Sequence, residues 1–309
     1  MKILITGGIG FIGSSLVYNI YKEHDITIFD IRDNNKGFKI YDILPVKFIQ
    51  GDINNIDLLY NILNEGFDCI IHLCAVSRVV VAEQNPDECI RVNINGTDSL
   101  LKAIQVSKSS KAVLIFGSSR EVYGNPTYLP VTEDFEYNPV NIYGKSKVYG
   151  EKAFIEYSYK HGNPCGILRF SNVYGNEYDL YGRVIPRFII NIYKDEPVYI
   201  EGGNQLIDFT YIDDVIWGIN ACIEYLTANN VIDIFHILPG VKNTLYDVIS
   251  AIENTLNKKA KVFVNPKREY DVEKFIGNPE KILKYFGDHK FYTIQEGIPL
   301  AIPKYIKNL

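Results

Sequence analysis

Lys2-Ile3-Leu4-Ile5-Thr6-Gly7-Gly8-Ile9-Gly10-Phe11-Ile12-Gly13 opens the chain: an apolar run, then glycines, then an apolar helix start. This order builds a socket for a dinucleotide pyrophosphate. The glycines permit a tight turn and a close approach of backbone to phosphate, and the first N–H groups of the helix face the negative charge. Gly7, Gly10, Phe11, Ile12 and Gly13 are the expected contacts. Asp30 ends the next strand-like run, Ile26-Thr27-Ile28-Phe29, about 20 residues past the loop, where a carboxylate accepts ribose hydroxyls. A carboxylate there repels a 2'-phosphate, so the expected cofactor is NAD rather than NADP, a preference that nearby Arg32 weakens slightly.

A chain of 309 residues holds one large α/β unit or two coupled domains. Its net charge of -5 provides no basic footprint for nucleic acid or an anionic membrane. The five cysteines are widely spaced, with no Cys-x-x-Cys pair; Cys69, Cys74 and Cys165 sit in or beside apolar runs and read as reduced core residues. The first residues form a strand and a glycine loop where a signal peptide needs a charged segment and an apolar run. No apolar stretch reaches the ~18 residues that span a bilayer. A soluble, cytoplasmic protein is expected.

Short apolar runs at 2–6, 26–30, 46–50, 68–73, 112–117 and 166–170 alternate with longer helix-like segments. Alternation of this kind predicts a parallel sheet with helices on both faces, and continuous Val/Ile/Leu content is what strands buried on both faces require. The rhythm breaks after about Ser171, where Tyr and Asn become frequent and loops at 176–183 and 201–204 interrupt the pattern. One later run, 232–238, looks able to return to the main sheet. The expected division is a dinucleotide-binding domain over 1–170 and a mainly substrate-binding region over 171–309.

Beyond the run 112–117 comes Ser118-Ser119-Arg120-Glu121-Val122-Tyr123-Gly124, and some twenty residues later Tyr143-Gly144-Lys145-Ser146-Lys147. A Tyr and a Lys four apart share one helix face. The ammonium of Lys147 is expected to stabilise the phenolate of Tyr143, with Ser119 holding the reacting hydroxyl in line. Bringing a phenol from a pKa near 10 towards 7 needs roughly 4 kcal/mol. The spacing alone is weak, because it also occurs at Tyr18/Lys22 and Tyr270/Lys274. Only Tyr143 follows a Ser-bearing strand end, where doubly wound sheets bind ligands.

With these residues the chain resembles the extended short-chain dehydrogenase/reductases, and within them the NAD-dependent nucleotide-sugar epimerase/dehydratase family. The resemblance also rests on Gly51-Asp52-Ile53, His72-Leu73-Cys74-Ala75, Asn93-Ile94-Asn95-Gly96-Thr97, Arg169-Phe170-Ser171-Asn172-Val173-Tyr174-Gly175, Asp208-Phe209-Thr210-Tyr211-Ile212-Asp213-Asp214, and Arg268 with Asp271. It implies a Rossmann-type doubly wound parallel sheet with a smaller C-terminal substrate-binding region. It adds Asp52, Ile53, Leu73 and Ala75 to the NAD contacts. The implied chemistry is C4 epimerisation of a nucleotide-diphosphate sugar, with Tyr143 as base, through a 4-keto sugar that turns over in the cleft. A homodimer through helices of the main domain is also implied, with the helix from Tyr143 to about Tyr159 as candidate.

Two departures from the family pattern bear on substrate. Ile207 stands where most relatives carry an arginine on the substrate pyrophosphate; Arg268 remains as a clamp, with Arg183 or Arg187 as replacements. Asn172 is expected on the sugar-phosphate, the alternative being a structural turn. Family dehydratases carry Asp-Glu after the hydroxyl residue, whereas this chain has Arg120-Glu121. Glu121 is either a base for a 4,6-dehydratase or decarboxylating reaction, or a carboxylate paired with Arg120. Arg120 beside the reacting hydroxyl also suggests a C6 carboxylate, as in a nucleotide-linked uronic acid, although Val79-Val80-Val81-Ala82 is apolar where many relatives place polar sugar contacts. Net dehydrogenation with freely exchanging NAD and a dinucleotide-sensing regulator on the same fold are the other readings. No nucleic-acid partner, membrane partner or metal site is expected.

Overall fold

The computed structural model describes residues 1–33 and 40–307. Among the described residues eleven strands run in chain order: β1 (Lys2–Thr6), β2 (Asp25–Asp30), β3 (Lys47–Gln50), β4 (Cys69–His72), β5 (Val113–Ser119), β6 (Cys165–Phe170), β7 (Asn172–Tyr174), β8 (Val198–Glu201), β9 (Phe209–Tyr211), β10 (Ile232–Ile237) and β11 (Val262–Asn265). Seven of them form one parallel sheet in the order β10-β6-β5-β4-β1-β2-β3. The chain builds outward from β1 to β3, then returns to the other side of β1 with β4. That reversal opens a crevice at the carboxyl ends of β1 and β4, where doubly wound sheets bind ligands.

Both faces of the sheet are apolar, and successive residues serve different cores. Ile3, Ile5, Cys69, Ile71, Val113 and Ile115 pack on one side with the helix Phe11–Ile20 and the helix Ile212–Asn229. Leu4, Ile70, Leu114, Phe116 and Ile167 face the other side, with the helices Ile56–Leu63, Gly96–Gln105 and Ile142–His161. This period of two, with both phases apolar, is what makes the runs look continuous in sequence.

The later half adds two small parallel pairs, β8 with β11 and β7 with β9, and β10 lies beside β6 in the main sheet. Strand β5 runs two residues beyond the apolar segment, because Ser118 and Ser119 continue the ladder opposite Arg169 and Phe170. All five cysteines are free, and Cys69, Cys89, Cys165 and Cys222 are buried. Cys74 follows β4 on the cleft wall, partly buried and packed against the core. Among the described residues no helix is long and apolar enough to cross a membrane.

Candidate active site

A cleft of about 870 Å³ runs across the carboxyl ends of the strands. Its wall begins at the glycine turn. Gly7 has φ +74, and a Cβ there would lie 2.6 Å from the backbone nitrogen of Cys74. A Cβ on Gly13 would lie 2.5 Å from the carbonyl oxygen of Gly7. Any larger residue at either place would push the turn, the helix Phe11–Ile20 and the strand end after β4 apart. The resulting cradle presents the helix N-terminus to the cleft and fits a dinucleotide pyrophosphate.

Asp30 closes one end of this cradle. Its carboxylate accepts the N–H groups of Ile9 and Arg32, each at 3.0 Å, and Arg32 pairs with it at 3.4 Å. A carboxylate has about four lone-pair sites, so acceptor capacity remains for ribose hydroxyls. Asp52 pairs with Arg91 at 2.8 Å, and Asp52, Ile53, Leu73 and Ala75 all line the same wall. Beneath it, His72 is held between the hydroxyls of Thr6 at 2.7 Å and Thr97 at 3.1 Å. Burial, with the charge of Lys147 adding to it, pushes the His72 imidazole down to about 3.

The helix Ile142–His161 carries Tyr143 and Lys147 into the cleft. Its start is fixed by the Asn141 side chain, which accepts the N–H of Gly144 at 2.7 Å, and by Glu83, which accepts the N–H of Ile142 at 2.7 Å. Ser119, at the end of β5, stands beside the Tyr143 phenol and favours its ionised form. Of the three Tyr-x-x-x-Lys pairs, only this one lines the cleft; Tyr18 is exposed and Tyr270 lies in a turn.

Lys147 donates to the carbonyl of Gly117 at 2.7 Å, and its ammonium lies 5.8 Å from the Tyr143 ring centre. Burial pushes the ammonium down to about 8. It also holds the Tyr143 phenol above the ordinary tyrosine range, against the lowering effect of Ser119. The expected lowering of the phenol by Lys147 is therefore not a property of these side chains by themselves. Removing the phenol from water is the larger effect.

At the far end the cleft is lined by Arg120, Glu121, Asn172, Arg183, Arg268 and Asp271, and also by Ile207. Arg120 Nε donates to the Asn172 side-chain oxygen at 3.1 Å, and Nη2 reaches Glu121 at 3.0 Å. The other Glu121 oxygen accepts from Asn141 at 2.7 Å. Arg268 pairs with Asp271 at 2.8 Å, and Arg183 pairs at 3.4 Å with the fully buried Asp179.

A further arginine, Arg78, escaped the sequence reading. It precedes the apolar stretch Val79–Gln84, lines the cleft and crosses to the other wall, where Nη2 donates to the carbonyl of Gly182 at 3.3 Å. Arg187 is near enough to feel both Arg268 and Arg78. Burial first, and then their charges, hold it below the ordinary arginine range. No local motif marks Arg78; only the fold brings it opposite residues a hundred positions later.

The family model described as the NAD dependent epimerase/dehydratase family matches residues 3–237. The chain belongs to that family. Within it, the uncharacterized UDP-glucose epimerase of Bacillus subtilis (strain 168) is 32% identical over 281 residues, 86% of each chain. Among solved structures, the UDP-glucuronic acid 4-epimerase of Bacillus cereus in complex with UDP-glucuronic acid and NAD superposes with a TM-score of 0.90 at 27% identity, covering 99% of each chain. The UDP-glucose 4-epimerase of Thermotoga maritima with UDP-glucose does so with a TM-score of 0.90 at 26% identity, again over 99% of each chain. The epimerase/dehydratase fold thus extends over the C-terminal region as well as the family-matched segment.

Proposed function

We propose that this chain is an NAD-dependent 4-epimerase of a UDP-linked hexose or hexuronate. The observation that carries the reading is the meeting of Ser119, Tyr143 and Lys147 with the glycine cradle in one cleft. The names of the B. subtilis, B. cereus and T. maritima proteins support UDP-sugar 4-epimerisation and leave the sugar open.

In this reading Gly7, Gly10, Phe11, Ile12 and Gly13 hold the pyrophosphate of NAD, Asp30 its adenosine ribose, and Asp52, Ile53, Leu73 and Ala75 its adenine side and floor. Bound NAD supplies the two-electron acceptor that oxidises the sugar at C4 and then reduces the 4-keto sugar on its other face. Ser119 hydrogen-bonds the C4 hydroxyl, and Tyr143 takes its proton. Lys147 supplies positive charge beside the phenol. Asn172, Arg183 and Arg268 hold the substrate, with Asp271 fixing Arg268. Residues 171–309, apart from β10 and the sheet-packed helix Ile212–Asn229, form mainly the substrate-binding region.

Dehydration across C5–C6 is the weaker reading. It needs Glu121 as a free base, whereas both Glu121 oxygens are taken, by Arg120 and Asn141. The free cysteines accord with the cytoplasm. Lys145, Tyr149, Lys152, Glu156 and Tyr159 form an exposed flank on the helix Ile142–His161, the surface we assign to a homodimer.

Proton NMR of purified protein with UDP-glucose and no added cofactor tests the activity. A growing UDP-galactose anomeric signal is expected, and its absence in Tyr143→Phe. An unchanged spectrum with the parent protein, for UDP-glucose and for UDP-glucuronate alike, contradicts the reading.

A further inference from the structure

The end of the cleft beyond Ser119 contains an arrangement that bears on which sugar is taken. Arg120 is only 9% exposed, lines the cleft and spends two of its three nitrogens on neighbours, Nε on Asn172 and Nη2 on Glu121. Its Nη1 is buried and has no hydrogen-bond partner among the described residues. The guanidinium is further fixed over the ring of Phe275, 5.8 Å away. The donors of Arg120 are thus spent on neighbours or closed off from the open cleft, so a ligand meets the guanidinium as part of its pair with Glu121. With C4 set at Ser119 in the 4-epimerase reading, the pair lies beside a neighbouring ring carbon, and of the substituents there the C6 group is the one whose charge differs between a hexose and a uronate.

The charge of Arg120 is not available to match, however. Glu121 sits at 3.0 Å and is itself only 6% exposed, so the ion pair is shielded from water. Asn141 fixes the second Glu121 oxygen and prevents the carboxylate from swinging away. The buried carboxyl of Asp208 also lies within reach of the Arg120 charge. A carboxylate entering here would be attracted by Arg120 and repelled at comparable range by Glu121. The two effects largely cancel, and the cost of stripping the entering carboxylate of water stays uncompensated. A neutral hydroxyl loses far less hydration.

We infer that the Arg120–Glu121 pair selects a neutral C6 hydroxymethyl group over a C6 carboxylate, with Glu121 as the residue that excludes uronates. This rests on the UDP-sugar 4-epimerase reading above and narrows it to UDP-hexoses. It also reverses the meaning of Arg120 in the sequence, where a lone arginine beside the reacting serine suggests a uronate. The intervening fact is the second partner: Glu121 adjoins Arg120 in sequence, but Asn141, which locks it, comes from the start of another helix.

The test is binding and turnover of UDP-glucose and UDP-glucuronate by the parent protein, Glu121→Gln and Arg120→Gln, with calorimetry giving Kd independently of catalysis. The parent is expected to bind UDP-glucose at least about tenfold more tightly than UDP-glucuronate. Glu121→Gln, which leaves Arg120 charged and unmatched, is expected to move that ratio towards UDP-glucuronate by about tenfold or more. Arg120→Gln is expected to move it the other way. Equal or tighter binding of UDP-glucuronate by the parent overturns the inference, and needs no variant to fold. So does an unchanged ratio in a folded Glu121→Gln protein. If binding discriminates as stated while neither sugar is turned over, the selectivity stands and the epimerase reading fails.

Discussion

Lys147 and Gly117 are joined by a hydrogen bond of 2.7 Å from the buried ammonium to the strand carbonyl. This bond ties the helix that carries Tyr143 to the strand that ends in Ser119, so the proposed base and the serine are held by one brace. A second brace continues along the same helix face: Glu151, one turn beyond Lys147, accepts from Ser118 and pairs with Arg169 of β6 at 2.6 Å.

Removing the phenolic oxygen while keeping the ring tests the proposed base. Tyr143→Phe is expected to lower kcat by about 10²–10⁴-fold, the usual worth of a positioned acid–base group. Lys147→Met is expected to lower kcat as well. Steady-state kinetics with UDP-glucose, with circular dichroism to confirm folding, checks both.

The second brace is expected to matter for stability. Glu151→Ala leaves the guanidinium of Arg169, 1% exposed, without its carboxylate. Stripping one partner from a buried pair costs roughly 3–5 kcal/mol, so the urea midpoint of the variant should fall markedly.

Arg78 is expected to act on the diphosphate. Arg78, Arg183, Arg187 and Arg268 all line the cleft in which Ile207 offers no charge. Arg78→Ala should weaken UDP-glucose about five- to tenfold in KM with little change in kcat, the loss of roughly one partly exposed charge-assisted contact. UDP alone, as a competitive inhibitor, should weaken by the same factor, because the lost contact is to phosphate and not to sugar.

Like the buried His236, whose imidazole is also pushed down to about 3, His72 makes stability depend on pH. Its imidazole is pushed from the ordinary 6.5 down to about 3, so between these values the unfolded chain binds a proton that the folded chain refuses. Its contribution is complete above pH 6.5 and declines as pH falls towards 3, at about 1.4 kcal/mol per pH unit. His72→Asn should therefore flatten the loss of stability between pH 6 and pH 4, read from urea unfolding across that range.

The strand, glycine turn and acid of the cradle were legible because each is a local pattern with a local cause, and the same holds for the alternation that gives the parallel sheet. The cleft residues Ser119, Tyr143, Lys147, Asn172 and Arg268 were legible through motifs and their order. Arg78 was not, since it stands before Val79-Val80-Val81 and meets Gly182 only in the fold. The raised phenol of Tyr143 was illegible for another reason: spacing shows that a cation shares a helix face, while burial, which decides the sign here, is set by all the surrounding elements. Likewise the pairing of Arg120 with Glu121 was readable as one option, but the lock from Asn141 was not.

The most direct test of the central proposal, reversible oxidation at C4 by a cofactor that stays bound, is epimerisation of UDP-glucose in deuterium oxide. The account predicts UDP-galactose that keeps protium at C4, because the hydrogen leaves and returns without meeting solvent. Deuterium at C4 of the product would contradict it and point to proton exchange with water instead.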